Sequence, residues 1–222
     1  MSGKKFFTKE MIKRLIMSLV GVFLTGVTVG FFQIADLGAD PFTCFTLGWA
    51  NIFGTSYGAV YPFVTGALLI IDFFFDRSRI GIATLLNLFL TGVVADFFYN
   101  TFADFALFGT IYGRVGLLIF TLLILCIGSS LYFTANLGVS GYDAVSQIIS
   151  KKAKWPFRFC RIGTDVICVV FGLVFGVAFG DRVGFGTILT AFCMGPVIQL
   201  FNDHLSGPLL YGKNYNKEVQ PK

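Results

Sequence analysis

Two short stretches of this chain combine residues that start helices with residues that carry charge. Ala35–Pro41 reads ADLGADP and Ala135–Gly141 reads ANLGVSG. Asp40 before Pro41 is a helix N-cap followed by proline at the first helical position, and the Gly38 backbone suits the tight bend before it. In the second stretch Ser140 takes the cap, Asp143 falls in the first turn and Gly138 stands where Gly38 stood. A helix start exposes unsatisfied N–H groups and about half a positive charge. A pocket between two such starts suits a carboxylate, a phosphate or a zwitterion. Asp40 and Asp143 would instead favour a cation, so the sign of a solute is open. Asp40, Pro41, Thr43, Ser140, Tyr142 and Asp143 are the substrate-binding candidates here. Simple helix capping is the competing reading for Asp40, Ser140 and Asp143.

A second group sits within apolar runs. Thr84 and Asn87 share a helix face at i,i+3 spacing, as do Thr187 and Thr190. With Gly81, Gly92, Gly184 and Gly195 they make small, polar faces. These either pack helices closely or line a solute path, which makes Thr84, Asn87, Thr187 and Thr190 further binding candidates. Asp165 lies inside an apolar segment, where a carboxylate is costly and functional by default. It is a coupling candidate with Asp40 and Asp143, carrying a proton or a cation. The competing reading pairs it with Arg161, four residues earlier on the same face, or with Arg158. Asp72 is expected at an interface near Arg77 and Arg79. Trp49, Trp155 and Tyr57 read as interface anchors, and Gly26 and Gly30 as a packing GxxxG. The five cysteines show no CxxC or His-paired spacing, so neither zinc nor a disulfide framework is indicated. No nucleophile elbow, HExxH or phosphate-binding loop occurs. No enzyme activity, metal or cofactor is expected.

The elements that hold these residues follow from composition. Of 222 residues 55% are apolar and 13% charged, about half the charge of a soluble domain. Apolar runs long enough for a bilayer recur at about 11–34, 57–75, 80–98, 115–135, 159–179 and 183–202. Between them Phe42–Phe53 and the piece ending at Ile149 are too short to span and read as re-entrant or interfacial. Of 17 Lys and Arg, only Arg114 and Arg182 fall outside when six spans start from a cytoplasmic N-terminus, leaving fifteen inside. A version in which both short pieces cross gives a similar bias, so length alone separates the two. The basic N-terminus reads as part of a retained first span. The net charge of +5 sits at ends and loops, which argues against nucleic acid.

The chain also repeats itself. Besides ADLG and ANLG, Ile80–Phe98 aligns with Val183–Phe201 with seven of 19 pairs identical. Asp96 and Gln199 are one of the aligned pairs. Each repeat holds three spans and one short piece, so the second copy enters from the opposite side. The expectation is an all-α integral membrane protein: about six transmembrane helices plus two short re-entrant or broken helices, built from two inverted repeats. It comprises a basic N-terminus (1–10), a first repeat (11–98), a linker loop (99–114), a second repeat (115–203) and a polar, frayed cytoplasmic tail (204–222).

LGADPF, GTSYG and GIATLLN followed by Gly and ADFF resemble the bacterial YczE/YitT-type membrane proteins, nearest the YczE branch. The resemblance covers roughly residues 15–203 and implies the bacterial cytoplasmic membrane, with no substrate attached. From the residues, the expected function is a secondary carrier for a small polar or charged solute, bound near the membrane midplane between the repeats. The alternatives are a substrate-binding subunit of a vitamin-type ABC importer, a membrane assembly or scaffold protein, and a channel. The expected partners are the lipid bilayer and a small-molecule solute, with assembly into a homo-oligomer left open.

Overall fold

Break residues and caps divide the chain into helices at the positions the sequence suggests. The computed structural model describes residues 9–105, 110–174 and 183–212. Its helices are α1 (Lys9–Ala35), α2 (Pro41–Phe53), α3 (Tyr57–Phe75), α4 (Ile82–Phe102), α5 (Ile111–Ala135), α6 (Gly141–Ala153), α7 (Phe157–Val174), α8 (Phe185–Phe201) and α9 (Gly207–Tyr211). No strand occurs among the described residues. Asp40 caps α2 by accepting from the Thr43 N–H, and Ser140 caps α6 by accepting from the Asp143 N–H. The two breaks share a backbone signature: Asp36 and Gly38 have φ of 51° and 97°, and Asn136 and Gly138 have 52° and 110°. These left-handed conformations suit glycine and asparagine or aspartate, the types found there.

Among the described residues five segments are long and apolar enough to cross a membrane: Lys9–Ala35, Tyr57–Phe75, Ile82–Phe102, Ile111–Ala135 and Phe185–Tyr211. The predicted span at 159–179 corresponds to α7 as far as Val174, and its remainder lies outside the described residues. That helix carries Arg158, Arg161 and Asp165. Helices α2 and α6 have 13 residues each, about 20 Å at 1.5 Å per residue and short of a hydrocarbon core of roughly 30 Å. The expected frayed tail is helical as far as Tyr211, and its part from 213 on lies outside the described residues. A π turn (Asn202–Ser206) and α9 continue the helix, and Ser206 and Leu210 are buried against the bundle.

Large apolar side chains cover much of the outside, while many hydroxyls and some charges lie inside among the apolar core. Phe63, Phe74, Phe89 and Phe185 are mostly exposed, whereas Thr28, Thr46, Thr84, Ser130 and Asp165 are fully buried. In water this would be unstable; in hydrocarbon it is the arrangement that satisfies both surfaces.

Two layers pack together. The first joins α1, α4, α5 and α8. Along it α1 and α5 run antiparallel, since Arg14 reaches the Ala135 carbonyl and Asp36 pairs with Arg114 at the other end. Gly21 and Gly128 let these two backbones touch, and Gly26 and Gly30 seat α1 on α4 as the GxxxG reading anticipates. The second layer joins α2 with α7 and α3 with α6. The layers meet where Gly58 of α3 lies on Gly92 of α4.

Candidate functional site

The breaks bring the starts of α2 and α6 face to face. Phe42 and Tyr142, each the second residue of its helix, stack with ring centroids 4.5 Å apart and planes within 8°. Beside this pair lies a cavity of about 50 Å³ at the junction of the two layers. At roughly 10–15 Å³ per water it holds a few water-sized particles. Asp40 and Thr43 line it from α2, Ser140, Tyr142 and Asp143 from the start of α6, and Asn87 from α4. Six of the predicted binding residues thus converge on one space.

The charges in and beside this space are unevenly shared. Asp40 is 6% exposed, and its carboxylate accepts from the Thr43 N–H at 3.1 Å. It makes no ion pair among the described residues. Arg161 of α7 also lines the cavity and carries two carboxylates. Its Nη1 donates to Asp143, its Nε lies 3.3 Å from Asp165, and its guanidinium covers the Tyr142 ring at 4.5 Å. Tyr142 donates to Asp165 at 2.5 Å, and Tyr132 donates to Asp143. Asp165 is fully buried one layer behind the cavity wall, so its predicted pairing with Arg161 is present.

The sequence reading missed several members of the site. Arg161 was legible only as a partner for Asp165. Tyr57 is not an interface anchor: it is 2% exposed and lines the cavity with Tyr61, whose hydroxyl donates to Asn87. Trp49 and Trp155, by contrast, are exposed. Thr91, Ser129 and Tyr132 also reach the cavity. The offset of 100 could have flagged some of these, because it aligns Thr43 with Asp143, Tyr61 with Arg161 and Thr65 with Asp165. One half presents hydroxyls and a phenol where the other presents an ion-paired cluster.

The remaining predicted residues form a clasp around the breaks and are not among the cavity lining. Pro41 is buried at the first turn of α2. Thr84 donates to the Val139 carbonyl at 2.8 Å, and the Ala83 N–H donates to the Leu137 carbonyl. On the other side the Gly186 N–H donates to the Leu37 carbonyl at 2.7 Å, and Thr187 meets the Cys44 thiol at 3.4 Å. Thr190 donates back to Thr187 within α8. Gly81 and Gly184 cap α4 and α8 and sit directly on the opposing loop, against Leu137 and Leu37. Gly195 is buried in α8. Asp96 accepts from the Gly58 N–H at 3.0 Å near the start of α3, while its repeat partner Gln199 is exposed.

Asp72 differs from expectation. It is 1% exposed, and neither carboxylate oxygen has a hydrogen-bond partner among the described residues. The nearby Arg77 guanidinium stacks on Phe73 instead, 4.1 Å from the ring centroid. Neither Arg77 nor Arg79 forms an ion pair with Asp72. An unpaired buried carboxylate is costly. Asp72→Asn keeps the shape and removes the charge. It is expected to raise stability by about 1–2 kcal/mol, read as a higher unfolding midpoint in detergent; a lower midpoint would show that the carboxylate has a partner.

A second, apolar pocket of about 280 Å³ lies across the Phe42–Tyr142 stack, between α2, α3, α6 and α7. The stacked rings form the wall shared by the two spaces.

These features define a polytopic all-α membrane protein with a small charged cavity where two broken segments meet. Residues 12–203 match the family described as a family of unknown function (DUF6198), and the chain belongs to that family. It is 29% identical over 168 residues to the uncharacterized membrane protein YczE of Bacillus subtilis, covering 73% of each chain, so the resemblance to the YczE branch holds. It is 20% identical over 182 residues to the uncharacterized protein YyaS of the same organism, covering 82% of this chain and 89% of YyaS. An uncharacterized protein of Haemophilus influenzae is 25% identical over 190 residues, covering 85% of this chain and 83% of that one. No solved structure matches.

Proposed function

We propose that this protein is a secondary carrier that binds a small polar or charged solute in the cavity between α2 and α6. The carrying observation is a cavity lined by charged and hydroxyl side chains at the point where two capped, bilayer-short helices meet, within a molecule with many exposed apolar side chains. In this reading the chain is two inverted repeats with six crossings, α2 and α6 are re-entrant, and both termini face the cytoplasm of a bacterial cell. The antiparallel α1 and α5, the matching backbone at the two breaks and the Phe42–Tyr142 contact support the inversion. The positive-inside bias supports the orientation.

The moving parts cut across the repeats. Each break is held by the other half, Leu37 on Gly186 and Leu137 on Ala83. The halves therefore do not rock as separate bodies. Instead α2, α3, α6 and α7 tilt against α1, α4, α5 and α8, opening the cavity to alternate sides. The Gly58–Gly92 contact is the pivot, because two glycines let the backbones roll on each other. Asp40, Asp143 and Asp165 are the groups available to couple the motion to a proton or ion.

Purified protein in liposomes, loaded with a solute that raises its melting temperature, is expected to show saturable exchange of that solute. Asp40→Asn should slow the exchange at least tenfold. A vesicle that moves no stabilising solute would remove the carrier reading and favour a scaffold role.

A further inference from the structure

Carboxylates outnumber guanidinium groups in and beside the cavity. Asp40 and Asp143 line it and Asp165 lies directly behind, with Arg161 as the one guanidinium among them. The two helix starts add about half a positive charge each. Three carboxylates set against one guanidinium and two half-charges leave about one negative charge.

Several groups an anion would use already carry bonds. Arg161 is held by two carboxylates and a tyrosine ring. The first-turn N–H groups of Thr43 and Asp143 are taken by the Asp40 and Ser140 side chains. An anion would have to compete with Asp40, Ser140, Asp143 and Asp165 for these donors. A cation meets the opposite situation. Asp40 has no ion pair among the described residues. The Thr91 hydroxyl also lines the cavity, is 1% exposed and has no hydrogen-bond partner among them. The Tyr57 and Tyr61 rings complete a wall whose π-faces attract positive charge. About 50 Å³ admits a bare ion with a water or two.

We infer that the solute or coupling ion of this site is a small monovalent cation, of alkali-metal or ammonium type, held by the Asp40 carboxylate with Thr91 and the tyrosines around it. This rests on the carrier reading for its role, but binding itself can be measured without transport.

The test is the melting temperature of the purified protein in detergent, at fixed pH and ionic strength, starting from N-methylglucamine chloride. Sodium, potassium, ammonium and methylammonium chlorides are titrated in. Acetate and phosphate are titrated separately as N-methylglucamine salts. At least one small cation is expected to give a saturable rise, with apparent affinity falling at least tenfold in Asp40→Asn. Asparagine is as good an N-cap as aspartate, so the fold should survive. Asp40→Ser, which copies the Ser140 cap, is the second variant. The inference is overturned by a saturable response to an anion alone, by no response to any cation other than the proton, or by a cation response that neither variant weakens. Cation binding without flux in liposomes would uphold the site and remove the carrier role. Saturable anion flux with no cation effect would do the reverse.

Discussion

Arg161→Met is expected to destabilise the protein more than any other single side-chain replacement at its centre. The guanidinium is 4% exposed and stands between Asp143 and Asp165, the second of them fully buried. Removing it leaves two carboxylates in a low-dielectric space without a counter-charge. Breaking a buried pair in this way costs about 3–5 kcal/mol, whereas replacing all its members together is often neutral. The triple variant Arg161→Met, Asp143→Asn, Asp165→Asn should therefore recover most of the loss. Unfolding midpoints of the purified variants, or the monodisperse yield from detergent, provide the measurement. If Arg161→Met is as stable as the parent, the carboxylates have other partners and the ion-paired cluster described here is wrong.

The second large effect is expected at the glycines that seat each break on the other half. A Cβ at Gly81 would come within 2.1 Å of the Leu137 carbonyl oxygen, and one at Gly184 within 2.4 Å of the Leu37 carbonyl oxygen. Both obstacles are backbone, which cannot turn aside as a side chain can. Either Gly81→Ala or Gly184→Ala should cost about 1–3 kcal/mol through displaced loops. Each should also weaken the neighbouring bond, Ala83 N–H to Leu137 or Gly186 N–H to Leu37. Gly66 and Gly163 have nothing within 4 Å of an added Cβ, so alanine there should leave the midpoint unchanged. Faster hydrogen exchange at residues 36–40 in Gly184→Ala, but not in Gly66→Ala, would locate the damage. Equal stability across all four variants would rule out the close clasp.

The sequence by itself determined the elements and their ends. Apolar runs, Asp40–Pro41, Ser140 and the glycines two residues before each cap are local signals, and each acts through its own few residues. The two breaks and their repetition were legible for the same reason, as were the membrane setting and the family. The tertiary structure decided what each element meets. Spacing on a helix shows that Thr84 and Asn87 share a face, but only packing turns Thr84 to the Val139 carbonyl and Asn87 to Tyr61. The 161/165 spacing offered Asp165 a partner, but Asp143 arrives from another helix and doubles the load on Arg161. Tyr57 looked like an interface anchor because tyrosine is amphipathic, and packing against α4 and α2 made it a cavity wall. Asp72 lay close in sequence to Arg77 and Arg79, but it pairs with neither and Arg77 lies on Phe73. Caps and breaks are set by bonds within a few residues of chain. Charge pairing and cavity walls are set by which helices become neighbours, and that depends on packing across the whole molecule.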